Sequence, residues 1–254
     1  MTNVYKLIAL DVDGTIVKED RVPITPRVCR AIEEASARCH VVFCTGRSSE
    51  DLVEVLDQVD IKPSFHVCGG GSEIVGPDGR IIEAFLLTSN ELQIIASRVA
   101  QLKREISYLI GTSWRCSYAE HERSLVGTVS VSAFSAEDGY EIVRTLSDLQ
   151  LLFSINVASD SRDPKRAVVH IGNQMSNKGH GLCRVMSQLG IAKEEAIMVG
   201  DMLNDFPAFQ VVGLKVAMGN AAHYLKESAD VVVPDIEDDG AAVAIERFIL
   251  KVPP

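Results

Sequence analysis

No apolar run in this chain reaches the length of a bilayer span, so no transmembrane helix is expected. The stretch from Met1 to Lys6 lacks the basic start, apolar segment and small-residue cleavage site of a secretory signal. The cysteines, Cys29, Cys39, Cys44, Cys68, Cys116 and Cys183, are scattered and form no Cys-x-x-Cys pair. That argues against a thiolate metal cluster and against a disulfide framework, and a reduced, cytoplasmic protein is expected. A Lys/Arg-rich run is also missing. Lys plus Arg number 25 against 35 Asp plus Glu, a formal net charge of -10. Neither nucleic acid nor an anionic membrane is an expected partner. A small phosphorylated metabolite stays compatible, because a bound metal ion can reverse the local sign of charge. No Gly/Ser-rich linker and no internal repeat divides the chain. No long apolar surface stripe is evident either, which leaves a monomer or a weak homodimer.

What is present is a chain of 254 residues, 46% hydrophobic and 24% charged. That is enough for a large buried core in one large domain or two smaller ones. Short continuous apolar runs, of the kind that suit strands buried on both faces of a parallel sheet, occur at Lys6–Leu10, Val41–Cys44, Phe65–Cys68, Ala196–Val199, Leu214–Met218 and Val231–Val233. Helices are predicted between them: Thr25 to about Arg38, with Thr as N-cap and Pro at the first helical position; Ser48 to Asp57; Lys178 to Leu189; Phe206 to Val211; a short one near Tyr224; and Gly240 to Leu250. A hairpin turning at Pro77-Asp78-Gly79 is predicted over residues 72–86.

The middle of the chain has a different rhythm. A capping box, Thr88-Ser-Asn-Glu91, opens a helix to about Glu105. Strands are predicted at Ser107–Ile110 and Thr128–Ser132, a helix over Glu137–Leu149, and strands at Leu152–Val157 and Ala167–Ile171. Paired strands between two helices suggest an open antiparallel sheet with helices on one face. The predicted fold class is α/β: a doubly wound, parallel-sheet, Rossmann-like core from residues 1–85 and 176–254, with an inserted α+β cap over residues 86–175.

Four polar segments fall where apolar runs end or helices begin. They are Asp11-Val-Asp13-Gly14-Thr15, Thr45-Gly46-Arg47, Asn177-Lys178-Gly179 and Gly200-Asp201-Met-Leu-Asn204-Asp205. In an open α/β sheet the ligand crevice lies at the carboxyl ends of the strands, where these loops would converge. Asp11 and Asp13, two residues apart, would point to the same side of an extended chain. Their mutual repulsion is relieved by a hard cation, and Asp201 and Asp205 add oxygen ligands suited to Mg²⁺. Lys178 would stand beside the carboxylates, and Thr45 offers a hydroxyl to an anion. A carboxylate nucleophile, a second carboxylate, a hard cation and a lysine together suit phosphoryl transfer through an aspartyl-phosphate. Taken singly, each segment also has a plain reading: a polar turn, glycine punctuation, a solvated lysine at a helix start, a turn with an N-cap. Their order at successive predicted strand ends is what sets them apart.

Together these segments resemble the haloacid dehalogenase-like hydrolase superfamily, in particular its Cof-type branch, which carries a large α/β cap between the second and third motifs. Val216-Ala-Met-Gly-Asn220-Ala221 and Asp238-Asp239-Gly240 are similar to that branch as well. The resemblance implies Asp11 as nucleophile and Asp13 as the acid that protonates the leaving oxygen and then activates water. It implies Thr45, Gly46, Lys178 and Asn204 around the substrate phosphate. Mg²⁺ would be held by Asp11, Asp13 through its backbone carbonyl, and Asp201, with Asp205 as a further ligand or a support. The implied activity is hydrolysis of a small phosphomonoester such as a sugar phosphate or phosphoglycolate. A phosphomutase and a non-catalytic phospho-acceptor protein are the alternatives. Where the branch usually has Asn-Gly, this chain has Cys68-Gly69-Gly70-Gly71, which would suit a hinge for cap motion.

Candidates for polar contacts from the cap are Arg115, His121, Arg123, Arg162, Lys165 and Arg166, although a solvated surface charge is the favoured reading of any one of them. Trp114 and Tyr118 are readable as core or as a lid contact, with the core the favoured reading. His40, His66, His170, His180 and His223 show no metal-ligand spacing and are expected to be structural.

Overall fold

A computed structural model describes residues 5–18, 23–160 and 163–252; Met1 to Val4 lie outside the described residues. The chain starts with β1 (Leu7–Leu10), α1 (Pro26–Ser36), β2 (His40–Phe43), α2 (Ser49–Leu56) and β3 (His66–Cys68). A hairpin of β4 (Glu73–Val75) and β5 (Ile81–Ala84) follows, then α3 (Ser89–Val99), β6 (Ile106–Ile110), β7 (Ser113–Arg115), β8 (Val126–Ala133), α4 (Ala136–Thr145), β9 (Phe153–Asp160) and β10 (Asp163–Asn173). The chain then returns with α5 (Lys178–Leu189), β11 (Ala196–Gly200), α6 (Phe206–Phe209), β12 (Leu214–Ala217), α7 (His223–Ser228), β13 (Val231–Val232) and α8 (Gly240–Ile245), which runs on as a π turn to Leu250.

The central sheet is parallel, in the order β13-β12-β11-β1-β2. It is therefore assembled from both ends of the chain. All residues of β1 and β11 are buried. Since successive side chains alternate between faces, burial without alternation means that both faces are covered, as the continuous apolar runs require. A bridge between Cys44 and Val67 continues the parallel pairing toward β3, which also pairs antiparallel with β4.

The second sheet, β7-β6-β8-β10-β9, is antiparallel. Val129, Val131 and Ala133 of β8, with Val157 of β9 and Val169 and Ile171 of β10, face Leu92, Ile95 and Ile142 of the two helices α3 and α4 and make a core of their own. The alternate positions, Ser107, Ser130, Ala158, Val168 and His170, face a cavity above the parallel sheet. The period of two thus divides each strand between a dry side and a site side.

The middle segment departs from the sequence reading in three ways. The helix expected to reach about Glu105 ends at Val99 and tightens into a 3-10 turn, with Lys103 left-handed at φ 54°. The strands of the second sheet run longer than expected. A further strand, β7, and a turn over Glu120–Leu125 were not predicted. At three residues, β7 is too short to show a period, and Ser-Trp-Arg carries no strand signal of its own.

Candidate active site

The loops at the carboxyl ends of β1, β2 and β11 line the floor of a cavity of about 380 Å³. β1 stops at Leu10, and the Asp11 N–H still donates to the Val199 carbonyl, so the ladder delivers Asp11 to the sheet edge. The chain then turns sharply, with the N–H groups of Ile16 and Val17 both reaching the Val12 carbonyl. Gly14 makes this turn at φ +84°, and a Cβ there would lie 2.3 Å from a carboxylate oxygen of Asp201. Glycine is required twice over, for backbone conformation and for close approach.

Asp11, Lys178 and Asp205 form a dry ionic cluster. The Lys178 ammonium lies 2.7 Å from Asp11 Oδ1 and 2.6 Å from Asp205 Oδ1. Lys178 is 1% exposed, which overturns its plain reading as a solvated helix-start lysine. Asn177 caps α5 by accepting the His180 N–H, which turns the first helical residue, Lys178, inward. Burial disfavours its charge, but Asp11 and Asp205 more than compensate and hold its pKa above the usual lysine value. Burial, then repulsion from Asp205, lifts Asp11 to about 7 against the pull of Lys178. Asp201 is raised too, by burial and then by Asp11 and Asp205. Two carboxylates held above their ordinary range beside each other describe a site short of positive charge.

The donor set suits a hard cation. Asp11, Asp201 and Asp205 each place a carboxylate oxygen so that all lie within 4.8 Å of one another. The Asn204 side-chain oxygen is buried beside them with no hydrogen-bond partner among the described residues. Oxygen donors alone fit Mg²⁺ rather than a thiophilic metal. The three carboxylates are engaged differently. Asp201 accepts the Thr15 hydroxyl at 3.1 Å. Asp205 accepts Lys178 on one oxygen and the backbone N–H groups of Asp201 and Met202 on the other. Asp205 therefore holds both the strand-end loop and the lysine.

Asp13 lies at the mouth. The Arg47 guanidinium grips its carboxylate with Nε at 3.1 and 3.2 Å and Nη2 at 2.7 Å. Arg47 belongs to the Thr45-Gly46-Arg47 segment, yet nothing in that tripeptide singles it out. Thr45 is buried, and its hydroxyl accepts the Arg47 N–H at 3.1 Å. Gly46 and Asn204 line the cavity. The sequence also gave no sign of the part played by Asn220. Its amide donates to the Gly14 carbonyl at 2.8 Å and accepts from Ile236 N–H at 3.0 Å, tying the first loop to the tail segment.

Gly69, Gly70 and Gly71 all have positive φ. A Cβ on Gly71 would lie 2.3 Å from the Asn177 backbone, and one on Gly70 would lie 3.5 Å from His170. The triple glycine is thus a packed joint between β3, α5 and the second sheet, and not simply a slack hinge.

The roof differs from expectation. Arg115 pairs with Glu122, Arg123 with Glu120 and Arg166 with Glu105, and none of them lines the cavity; nor does the exposed His121. Arg162 and the side chain of Lys165 lie outside the described residues. Tyr118 packs edge-on to Tyr108 against the hydrophobic cluster of the second sheet. Trp114, expected in the core, lines the cavity and stacks on His170 at 5.2 Å between ring centroids. Burial, then Lys178, lowers the His170 pKa to about 4, so its imidazole is neutral at pH 7. His66 is structural: it accepts the Phe43 N–H at 3.1 Å and stacks on that ring.

Comparison with known proteins points to one family. The family model of haloacid dehalogenase-like hydrolases matches the chain in two overlapping stretches, residues 8–163 and 133–245. A 5-amino-6-(5-phospho-D-ribitylamino)uracil phosphatase of Bacillus subtilis is 29% identical over 253 residues, covering 96% of each chain. A phosphoglycolate phosphatase of Archaeoglobus fulgidus is 27% identical over 249 residues, covering 95% of this chain and 96% of that one. The solved structure of a haloacid dehalogenase-like hydrolase from B. subtilis has the same fold, with a TM-score of 0.80 at 20% identity over 96% of this chain and 99% of that one. The chain belongs to the haloacid dehalogenase-like hydrolases.

Proposed function

We propose that this protein is a Mg²⁺-dependent phosphatase that hydrolyses a small phosphomonoester through an aspartyl-phosphate at Asp11. One observation carries the reading: Asp11 is buried against Lys178 at 2.7 Å, while a second carboxylate, Asp13, is held at the cavity mouth by Arg47. Residues 1–85 and 176–254 are the catalytic core and residues 86–175 the cap that closes over it.

An Asp11 carboxylate oxygen attacks phosphorus, and the bond from phosphorus to the leaving oxygen breaks as Asp13 protonates that oxygen. Asp13, now a carboxylate, takes a proton from water as the water attacks the same phosphorus. Inorganic phosphate leaves and Asp11 is restored. Lys178 has three N–H donors, of which two engage Asp11 and Asp205, leaving one for a phosphoryl oxygen. Gly46 and Asn204 border the space for the others, and Thr45, buried behind Gly46, supports that loop by accepting the Arg47 N–H. Asp11, Asp201 and the Asp13 carbonyl would hold the metal, with Asp205 positioning Asp201 and Lys178. Mg²⁺, when bound, neutralises the carboxylates that would otherwise repel an anionic substrate and steadies charge on the transferred group.

The acid/base residue two positions after the nucleophile favours turnover over a stable phospho-acceptor. The relatives divide on substrate: one is named for a ribitylaminouracil phosphate, the other for phosphoglycolate. The test is phosphate release from p-nitrophenyl phosphate and a phosphomonoester panel, with Mg²⁺ and with chelator, in wild type and Asp11→Asn. Release that needs both Mg²⁺ and Asp11 is expected. Undiminished release from Asp11→Asn would overturn the assignment.

A further inference from the structure

The cavity is larger than a two-carbon acid phosphate needs. At about 380 Å³ it falls in the range of pockets that enclose drug-sized ligands. Beyond the reaction centre its lining has three parts. Trp114, Ala158, Val168 and Met202 form an apolar wall, with the indole braced flat on His170 and the Asp160 carboxylate also in the lining, two residues on from Ala158. Ser107, Ser113 and Ser130 hang hydroxyls from β6, β7 and β8. Opposite them, α2 presents Glu50, Asp51 and Glu54. Among the described residues the lining carries one cation, Arg47, and Arg47 holds Asp13.

Each part selects. A braced indole among aliphatic groups favours a planar ring over water. Serine hydroxyls and carboxylates accept hydrogen bonds from the O–H and N–H groups of a polyol or a ring. The carboxylates repel a carboxylate on the leaving group, and no cation of the described lining is left to receive it. Glu50 and Asp51 are also accounted for by the first turn of α2, where acidic residues complement the helix dipole. Glu54 stands one turn further on, exposed, where that explanation has lapsed. The Ser113 hydroxyl donates to Glu50, so β7 and α2 already meet across the cavity.

We infer that the leaving group is an uncharged polyol or sugar joined to a planar nitrogen heterocycle, with Trp114 as the ring contact and the α2 carboxylates as the filter against small carboxylic acids. The inference rests on the phosphatase reading and chooses within it.

The test compares kcat/KM for uridine 5′-monophosphate, ribitol 5-phosphate and phosphoglycolate, using the full chain with Mg²⁺ and p-nitrophenyl phosphate as the general measure of turnover. The expected order is ring-bearing above open polyol above phosphoglycolate, with the first and last separated by on the order of 10²-fold. Trp114→Leu should lower the uridine-to-ribitol ratio by about 10-fold, and ribitol 5-phosphate reports whether the variant is folded. Glu54→Lys, on an exposed position, should raise phosphoglycolate relative to ribitol 5-phosphate by about 10-fold. Phosphoglycolate as the best substrate, or ratios that neither variant moves, would overturn the inference while leaving the phosphatase reading intact. Failure of wild type to hydrolyse even p-nitrophenyl phosphate would remove both.

Discussion

On the floor of the cavity Asp11, Lys178 and Asp205 are almost without exposure and hold one another at 2.7 and 2.6 Å. On the roof Ser107, Trp114 and Ser130 project from three strands of another sheet, and an open space remains between them and α2. Every floor residue is delivered by a strand end or a helix start and fixed by its neighbours. Roof residues are instead placed by strand alternation, and their neighbours determine only which face they occupy. Floor side chains cannot change without breaking a charge network; roof side chains can change one by one. Reaction chemistry is accordingly expected to be insensitive to the roof, and substrate choice insensitive to the floor.

Lys178→Met should break this comparison most severely. It leaves Asp11, Asp201 and Asp205 facing one another with no counter-charge, and removing one partner of a buried ion pair costs about 3–5 kcal/mol. For a chain of this size that is a fall in Tm on the order of 10 °C by calorimetry. Turnover should be lost on every substrate alike. Arg47→Lys keeps the charge but not the fork that grips Asp13. A drop in kcat of about 10- to 100-fold is expected on every substrate, steepest for poor leaving groups, since Asp13 would no longer be aligned to protonate them. An effect on every substrate that follows leaving-group quality would mark Arg47 as floor; a change confined to one substrate would move it to the roof.

Gly14→Ala should act on the metal site and add a backbone cost of its own at φ +84°. Its Cβ would lie 2.3 Å from the Asp201 carboxylate, so Mg²⁺ affinity measured by calorimetry should fall by about 10-fold while kcat at saturating Mg²⁺ changes less. The smallest expected effect is on the support beneath the floor. Burial lowers the His66 pKa to about 4 from an ordinary 6.5. Its contribution to stability is therefore complete above pH 6.5 and lost as pH falls toward 4, because only the unfolded chain binds that proton in this window. Between pH 7.5 and 5.5 the loss is about 1 kcal/mol by denaturant titration. His66→Asn can still accept the Phe43 N–H and should remove one proton's worth of that slope.

The floor was legible in the sequence because three of its motifs end apolar runs and the fourth, at Lys178, opens a helix. A strand buried on both faces announces itself by composition, and the polar residue that ends it is at the sheet edge by necessity. The doubly wound core was legible for the same reason, and the antiparallel sheet from strand signals that come in pairs between two helices. Arg47 was not, since nothing in Thr-Gly-Arg says that the arginine turns back to Asp13. Trp114 was not, because β7 is three residues long and its orientation depends on pairing with β6. The arginines that were candidates for substrate contact pair with nearby glutamates, Arg115 with Glu122 and Arg123 with Glu120. Such short-range pairing is cheap and cannot be separated by spacing from a site contact.

The central claim is that the phosphoryl group rests covalently on Asp11. Asp13→Asn should stall the second half of the reaction, and p-nitrophenyl phosphate has a leaving group good enough to need little help from Asp13 in the first half. Mixing the two with Mg²⁺, quenching, and reducing with borohydride converts an acyl phosphate to the alcohol, which peptide mass spectrometry locates. The account predicts homoserine at position 11 and at no other aspartate. Reduction at another residue, or none while phosphate is still being released, would contradict it.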